Sequence, residues 1–192
     1  MTVFGAAAIL AGRLGSTAIA AYEVVLTVAG TAFMVPFGVS SAGAIRVGQA
    51  IGRKDPAGAA RSGWMAMAMG AGFMAVSGLT MLVLPGPILG RFTTDPAVLA
   101  TARSLLVAAA VFQVFDGLQV VGAGVLRGAG ETRVPMYVNL VAHWAIGLPL
   151  GYLLAFPAKL GALGLWIGLA GGLIAAGLAL LMAWTRRVGT GL

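Results

Sequence analysis

The 192 residues are 60% hydrophobic and 9% charged, with a mean hydropathy of +1.00 and a formal net charge of +7. Soluble domains carry about a quarter charged residues, so this composition is typical of a membrane protein. The basic residues form short clusters between apolar runs, without an extended basic face, which argues against a nucleic-acid partner. With no cysteine and one histidine, the chain cannot form disulfides or cysteine-based metal sites, and a histidine-rich metal site is not expected.

Apolar runs along the chain predict one truncated and five complete membrane-spanning helices. Residues 1–12 are apolar but too short to cross a bilayer, which requires about 20 residues, so they are interpreted as the second half of a helix. The five longer runs are 24–45, 62–90, 104–126, 134–158 and 160–185. Because the bilayer core offers no partner to backbone groups, each run is expected to be helical. The expected fold is an all-α, polytopic transmembrane helix bundle.

Proline and aspartate mark where several helices begin or bend. Asp55 and Asp95 each precede a proline, a pattern that predicts an N-cap followed by the first helical residue. Pro36 and Pro149 instead lie inside predicted spans, where each should kink the helix and free a carbonyl group. Both prolines are therefore candidate hinges; the alternative is a purely structural role, which many transmembrane prolines have. Glycines spaced four apart predict close helix packing within the bundle; they are Gly48/Gly52, Gly147/Gly151 and Gly168/Gly172.

Basic residues in the loops predict the orientation of the bundle. The more basic set is Arg46, Arg53, Lys54, Arg61, Arg127, Arg133, Arg186 and Arg187. The opposite side holds Arg13, Arg91, Arg103 and Lys159. The positive-inside rule places the first set, and with it the C-terminus, in the cytoplasm. In the turn at 127–133, Glu131 is expected to pair with a neighbouring arginine.

Asp116 lies near the middle of an otherwise uncharged run, 104–126. A carboxylate at such depth costs about 2.5–3.5 kcal/mol on insertion scales, which favours a functional role. Gln113 and Gln119 lie three residues to either side, within an arc of about 120°, and could line a polar cavity with it. Burial would favour the protonated carboxyl and allow proton binding near neutral pH. Alternatively the ionised group could hold Na⁺, or Asp116 could have the purely structural role of capping a helix break or bonding to a neighbouring helix.

Other polar residues in the spans have simpler interpretations. Asn139 is a candidate cavity-lining residue that could bond across helices, and His143 is interpreted as a hydrogen-bonded packing residue. Glu23 is expected at a solvated helix end. Asp116 is the single carboxylate at depth, whereas aspartyl intramembrane proteases need two, and no HExxH, Ser/His pair or GxxxxGK[ST] occurs. We therefore expect no enzyme, and no cofactor or metal other than a coupling ion.

Several motifs together resemble the multidrug and toxic compound extrusion (MATE) transporters over essentially the whole chain. They are FMVP (33–36), IRVGQAIG (45–52), DGLQVV (116–121), LRGAG (126–130), IGLPLGY (146–152) and GALGLW (161–166). The match is to the C-terminal six-helix lobe, one of two lobes that are related by a pseudo-two-fold axis. The resemblance implies export of cationic amphipathic drugs across the cytoplasmic (inner) membrane in exchange for Na⁺ or H⁺.

The resemblance also assigns roles and raises an alternative. Asp116 matches the acidic residue of the second lobe that is implicated in binding the coupling ion. A second family acid, in the seventh helix, would fall at or just before Met1, and Glu23 stands where the family usually has glutamine. An N-terminal six-helix lobe is an expected partner. The alternative is a non-transporting membrane fragment or a subunit that needs a separate N-terminal lobe.

Overall fold

The computed structural model describes residues 3–191, and this part of the chain is a bundle of helices without a strand. The elements are α1 (Val3–Arg13), α2 (Ser16–Gly52), α3 (Pro56–Val83), α4 (Pro85–Leu89), α5 (Pro96–Gly128), α6 (Arg133–Leu140), a π-helical segment (Val141–Gly147), α7 (Leu148–Ala155) and α8 (Gly161–Gly189). Helices α2, α3, α5 and α8 are each long and apolar enough to cross a membrane, and so is the composite of α6, the π segment and α7. Helix α1 is apolar but shorter. The predicted all-α bundle of five spans and one short helix is confirmed.

The helices differ in length from the uncharged runs that predicted them. Helix α2 has 37 residues and is therefore about 56 Å long, well beyond the ~30 Å hydrocarbon core. Charged residues such as Glu23 and Arg46 thus lie within the helix. A charged residue ends the apolar run that can lie in the bilayer core, but it does not end the helical backbone. The run 62–90 is divided at Leu84, which has a non-helical backbone conformation, because Pro85 has no N–H and disfavours the α conformation of the residue before it.

Carboxylates cap three of the helices. Asp55 Oδ1 accepts the backbone N–H of Gly58 at 2.8 Å, and Asp95 Oδ1 accepts that of Ala97 at 2.8 Å, so both predicted N-caps are confirmed. Glu131 Oε1 accepts the backbone N–H groups of Arg133 and Val134 at 3.1 and 3.2 Å. The predicted pairing of Glu131 with an arginine is wrong, because its carboxylate satisfies the free donors at the start of α6 instead.

Helix α5 is the centre of the bundle and packs against α2, α3 and α8. Gly124 of α5 faces Ser40 of α2 so closely that a Cβ atom at Gly124 would lie 2.6 Å from the Ser40 carbonyl oxygen. Gly168 of α8 lies equally tightly against the backbone of Gly151 in α7. The predicted role of spaced glycines in packing within the bundle is confirmed for this α7–α8 pair.

The two prolines inside the predicted spans have different surroundings. Pro36 is buried in the middle of α2, which continues through it to Gly52. Pro149 follows the π segment, in which the N–H of Leu148 donates to the carbonyl of His143, five residues back. Since Pro149 has no N–H to continue the regular ladder, the wider π turn lies immediately before it. The hinge roles of both prolines stay predictions.

Candidate functional site

Asp116 lies midway along α5, beside a cavity of about 210 Å³. Its side chain is half-buried, and the rest of the cavity lining is apolar. The other lining residues come from α1, α2, α5 and α8 and are Phe4, Leu26, Ala29, Gly30, Phe33, Phe112 and Trp166. Thus α5, which carries the carboxylate, and three other helices together form an aromatic and aliphatic wall around it.

The Asp116 carboxylate has no hydrogen-bond partner among residues 3–191, and no basic residue lines its cavity. The structural role of bonding to a neighbouring helix is therefore not seen in the described chain. A charged carboxylate without a partner in low dielectric is costly. The group is thus available to a proton or to a cation that enters the cavity.

Two stacked aromatic rings, those of Phe112 and Trp166, form part of the cavity lining beside Asp116. The Phe112 and Trp166 rings lie with centroids 5.6 Å apart and planes at 15°, and the Tyr22 ring centroid lies 5.5 Å from that of Trp166 at a tilt of 48°. The Tyr22 hydroxyl donates to the carbonyl of Phe4 at 2.9 Å and so fixes α1 on α2. The Trp166 indole Nε1 is buried and has no partner within residues 3–191. Phe112 and Trp166 thus contribute a packed aromatic part of the cavity lining.

The structure does not bring the two flanking glutamines into this cavity. Gln113 is fully buried and donates through Nε2 to Ser77 Oγ of α3 at 3.2 Å. Gln119 donates through Nε2 to Asn139 Oδ1 of α6 at 2.6 Å. Neither glutamine nor Asn139 lines the cavity beside Asp116. Helix α5 is enclosed by several helices, so residues within an arc of about 120° on its surface contact different neighbours. Gln113 therefore meets α3 and Gln119 meets α6.

The polar residues of the composite span make local and cross-helix bonds. Asn139 bonds across helices to Gln119, as the sequence suggested, and its carbonyl lies 2.9 Å from His143 Nδ1. His143 is thus the hydrogen-bonded packing residue that was expected. Its ring also meets Phe4 edge-on, with centroids 6.4 Å apart. Glu23 is exposed but lies inside α2 rather than at its end.

Most residues of the cavity wall are not predicted from the sequence. Phe112 precedes Asp116 by four residues and could have been found from helical spacing. Phe4, Phe33 and Trp166 are distant in the sequence and meet Asp116 through tertiary packing alone. Within residues 3–191, no group of three or more His, Asp or Glu side chains is placed to hold a metal ion.

This architecture defines a class: a multi-pass membrane protein whose central helix presents one carboxylate to an apolar cavity. The family model MatE matches residues 2–153. The chain belongs to the MatE family, which confirms the resemblance found in the sequence.

Individual relatives agree with this assignment. The chain is 49% identical over 188 residues to the multidrug resistance protein NorM of Burkholderia vietnamiensis, covering 95% of this chain and 40% of the relative. It is 43% identical over 192 residues to the probable multidrug resistance protein NorM of Brucella suis biovar 1, covering 97% and 41%. The chain therefore spans about two fifths of the length of the curated relatives it matches.

Solved structures show the same fold. The eukaryotic MATE transporter AtDTX14 superposes with a TM-score of 0.88 at 24% identity, over 98% of this chain and 44% of that one. The Vibrio cholerae MATE transporter VcmN in the bent form superposes with a TM-score of 0.85 at 21% identity, over 97% and 43%. The six described spans and part-spans thus correspond in extent to less than half of a complete MATE transporter.

Proposed function

We propose that this chain forms the C-terminal lobe of a MATE-type transporter that exports cationic amphipathic drugs across the bacterial cytoplasmic membrane in exchange for H⁺ or Na⁺. The observation that carries the proposal is the Asp116 carboxylate, which has no partner in the described chain and faces an aromatic cavity. The similarity to NorM of Burkholderia vietnamiensis, a multidrug resistance protein, and to the probable multidrug resistance protein NorM of Brucella suis supports the substrate class.

In the proposed mechanism, occupancy of Asp116 by the coupling ion changes which arrangement of the two lobes is favoured. A neutralised carboxylate no longer opposes closure of the apolar helices around it, whereas the free carboxylate attracts a cationic drug. The drug and the coupling ion then compete for one negative charge, and that competition produces exchange. A ligand shifts the equilibrium between two arrangements only by the difference in its affinity for them.

The lining of the cavity bears on the choice of ion. A hard cation is normally held by several oxygen ligands, whereas the side chains that line this cavity offer one carboxylate among apolar groups. A proton needs only that carboxylate. We therefore favour H⁺ for the described lobe, and Na⁺ would require oxygen ligands from outside this lining.

Substitution of Asp116 tests the proposal. Asp116→Asn keeps the shape of the side chain but removes its charge, so ion-driven ethidium efflux from vesicles should fall at least about tenfold. Asp95→Asn is the matched control, because it also removes one carboxylate, lies outside the cavity, and still caps α5. The assay uses this chain joined to, or co-expressed with, a MATE N-terminal lobe, under imposed H⁺ and Na⁺ gradients in turn. Undiminished efflux by Asp116→Asn would refute the coupling role.

A second candidate is a subunit or fragment that does not transport drugs without a separate N-terminal lobe. The chain spans about two fifths of the length of the relatives it matches. Alternating access needs a second wall opposite the cavity. Efflux by the chain alone would exclude this candidate, and efflux that appears only on addition of the second lobe would support it.

A further inference from the structure

A second and larger cavity, of about 480 Å³, lies between α2 and α3 at the end of the bundle away from α1. We call it the arginine groove. Its polar end is formed by Arg46, Arg53, Asp55, Arg61 and Ser62, and its apolar end by Val39, Ala42, Gly43, Met65, Ala66 and Met69. It shares no lining residue with the Asp116 cavity.

The three arginines carry charge that the described chain does not neutralise. Their guanidinium groups form no ion pair or hydrogen bond with any residue in 3–191. The single acidic residue of the groove, Asp55, already accepts the backbone N–H of Gly58. The polar end therefore has an excess of positive charge and free N–H donors. Guanidinium groups bind phosphate oxygens in a bidentate manner, so this end is complementary to a phosphate group.

The apolar end continues directly from the charged end along both helices. On α3, Met65 and Met69 follow Arg61 at intervals of one turn, and both methionines are exposed, at 59% and 61%. On α2, Ala42 and Val39 precede Arg46 in the same way. From Arg53 to Val39 the groove extends about 20 Å at the rise of an α-helix, comparable to a phospholipid headgroup with much of its acyl chain.

Beyond the groove, α3 has an exposed apolar surface, as a helix that borders lipid does. Helix α3 packs mainly against α2 and α5, and other large apolar side chains on it, including Val76 and Leu79, are exposed. Basic pockets between spanning helices are known binding places for anionic lipid headgroups. We infer that the arginine groove binds an anionic phospholipid, with its phosphate on Arg46, Arg53 and Arg61 and an acyl chain along Met65 and Met69.

Lipid retention by the purified chain tests this inference. The chain is extracted in detergent, mixed with dioleoylphosphatidylglycerol or dioleoylphosphatidylcholine, and the lipids that stay bound are counted by native mass spectrometry. We expect the anionic lipid to be retained at least about tenfold more strongly than the zwitterionic lipid. The triple variant Arg46→Gln, Arg53→Gln, Arg61→Gln should lose this preference. Equal retention of both lipids by the unaltered chain would overturn the inference.

Two controls separate a specific groove from general charge. The triple variant Arg133→Gln, Arg186→Gln, Arg187→Gln removes the same charge from exposed residues outside the groove and should keep the preference; an equal loss would overturn the inference.

Ala42→Trp fills the apolar end without changing charge and should also abolish the preference, which tests the inference even if the arginine variant fails to fold. Inorganic phosphate at millimolar concentration is also added as a competitor of the bound anionic lipid. If it displaced that lipid as effectively as added lipid does, the groove would be a site for a free ion, and the acyl-chain contact would be contradicted. The measurement needs no transport and is independent of the role of Asp116.

Discussion

The ring of Trp166 lies parallel to that of Phe112, with 5.6 Å between their centroids and 15° between their planes. The first residue is in α8 and the second is in α5, one turn before Asp116. The stacking therefore joins two long helices at the level of the carboxylate and supplies two sides of its cavity. The packing of the lobe and the shape of the candidate ion site therefore both depend on the Phe112 and Trp166 rings.

Removal of the Trp166 ring should destabilise the lobe strongly. Trp166 is fully buried, and truncation of a buried aromatic residue costs about 3–5 kcal/mol. Trp166→Ala should therefore lower the free energy of unfolding by about 3 kcal/mol or more, measured by denaturation with sodium dodecyl sulfate in mixed micelles. Trp166→Phe is the control, because it keeps a ring on Phe112 and loses no hydrogen bond of Nε1. Equal losses from the two variants would contradict the stacking argument.

The sequence was sufficient to predict the helical class, the spans and the caps, because those follow from local patterns. Apolar runs longer than the bilayer core require helices, and Asp55 and Asp95 cap them by bonds within three residues. The surroundings of Asp116 could not be predicted in this way. Trp166 is fifty positions from it along the chain, and which helix faces which side of α5 is determined by close packing at glycines such as Gly124.

The contact between Gly124 and Ser40 should not tolerate a methyl group. A Cβ at Gly124 would lie 2.6 Å from the Ser40 carbonyl oxygen and still closer to its hydroxyl, so α2 and α5 would have to separate. Ser40 Oγ also donates to the Val120 carbonyl across the same contact at 2.7 Å. Gly124→Ala should therefore lower stability by about 1–3 kcal/mol.

Gly72 provides the matched control for that substitution. It lies inside α3, and a Cβ there would meet no heavy atom within 4 Å. Gly72→Ala should be neutral or stabilise the lobe by up to about 1 kcal/mol, because alanine is the better helix former. Comparable melting temperatures for the two variants in detergent would show that the close approach does not limit the packing of α2 on α5.

The hydrogen bond between Gln119 and Asn139 should couple α5 to α6. Its length is 2.6 Å between Gln119 Nε2 and Asn139 Oδ1. Bonds of this kind inside membrane proteins contribute about 0.6 kcal/mol on average and up to about 1.7 kcal/mol. A double-mutant cycle of Gln119→Ala, Asn139→Ala and the double variant should return a coupling energy in that range. A coupling energy of zero would mean that each amide is satisfied equally well elsewhere.

A side chain added at Gly30 should block the cavity without disturbing the fold. Gly30 lines the Asp116 cavity, and a Cβ built on it would have open space, with no heavy atom within 4 Å. Gly30→Leu therefore extends into the cavity, and helix α2 gains a better helix former. In the proposed two-lobe assembly, ion-driven ethidium efflux should fall at least about tenfold, because the side chain occupies the space that an ion or drug must enter. The melting temperature in detergent should stay the same or rise.

Gly38→Leu is the control for blocking, because Gly38 lies two turns further along α2, also has open space around its Cβ position, and does not line the cavity. It should leave both efflux and stability close to those of the unaltered chain. If Gly30→Leu and Gly38→Leu transported equally well, the Asp116 cavity would not be part of the transport route. If Gly30→Leu instead lowered the melting temperature, its loss of efflux would reflect a disturbed α2 rather than a filled site.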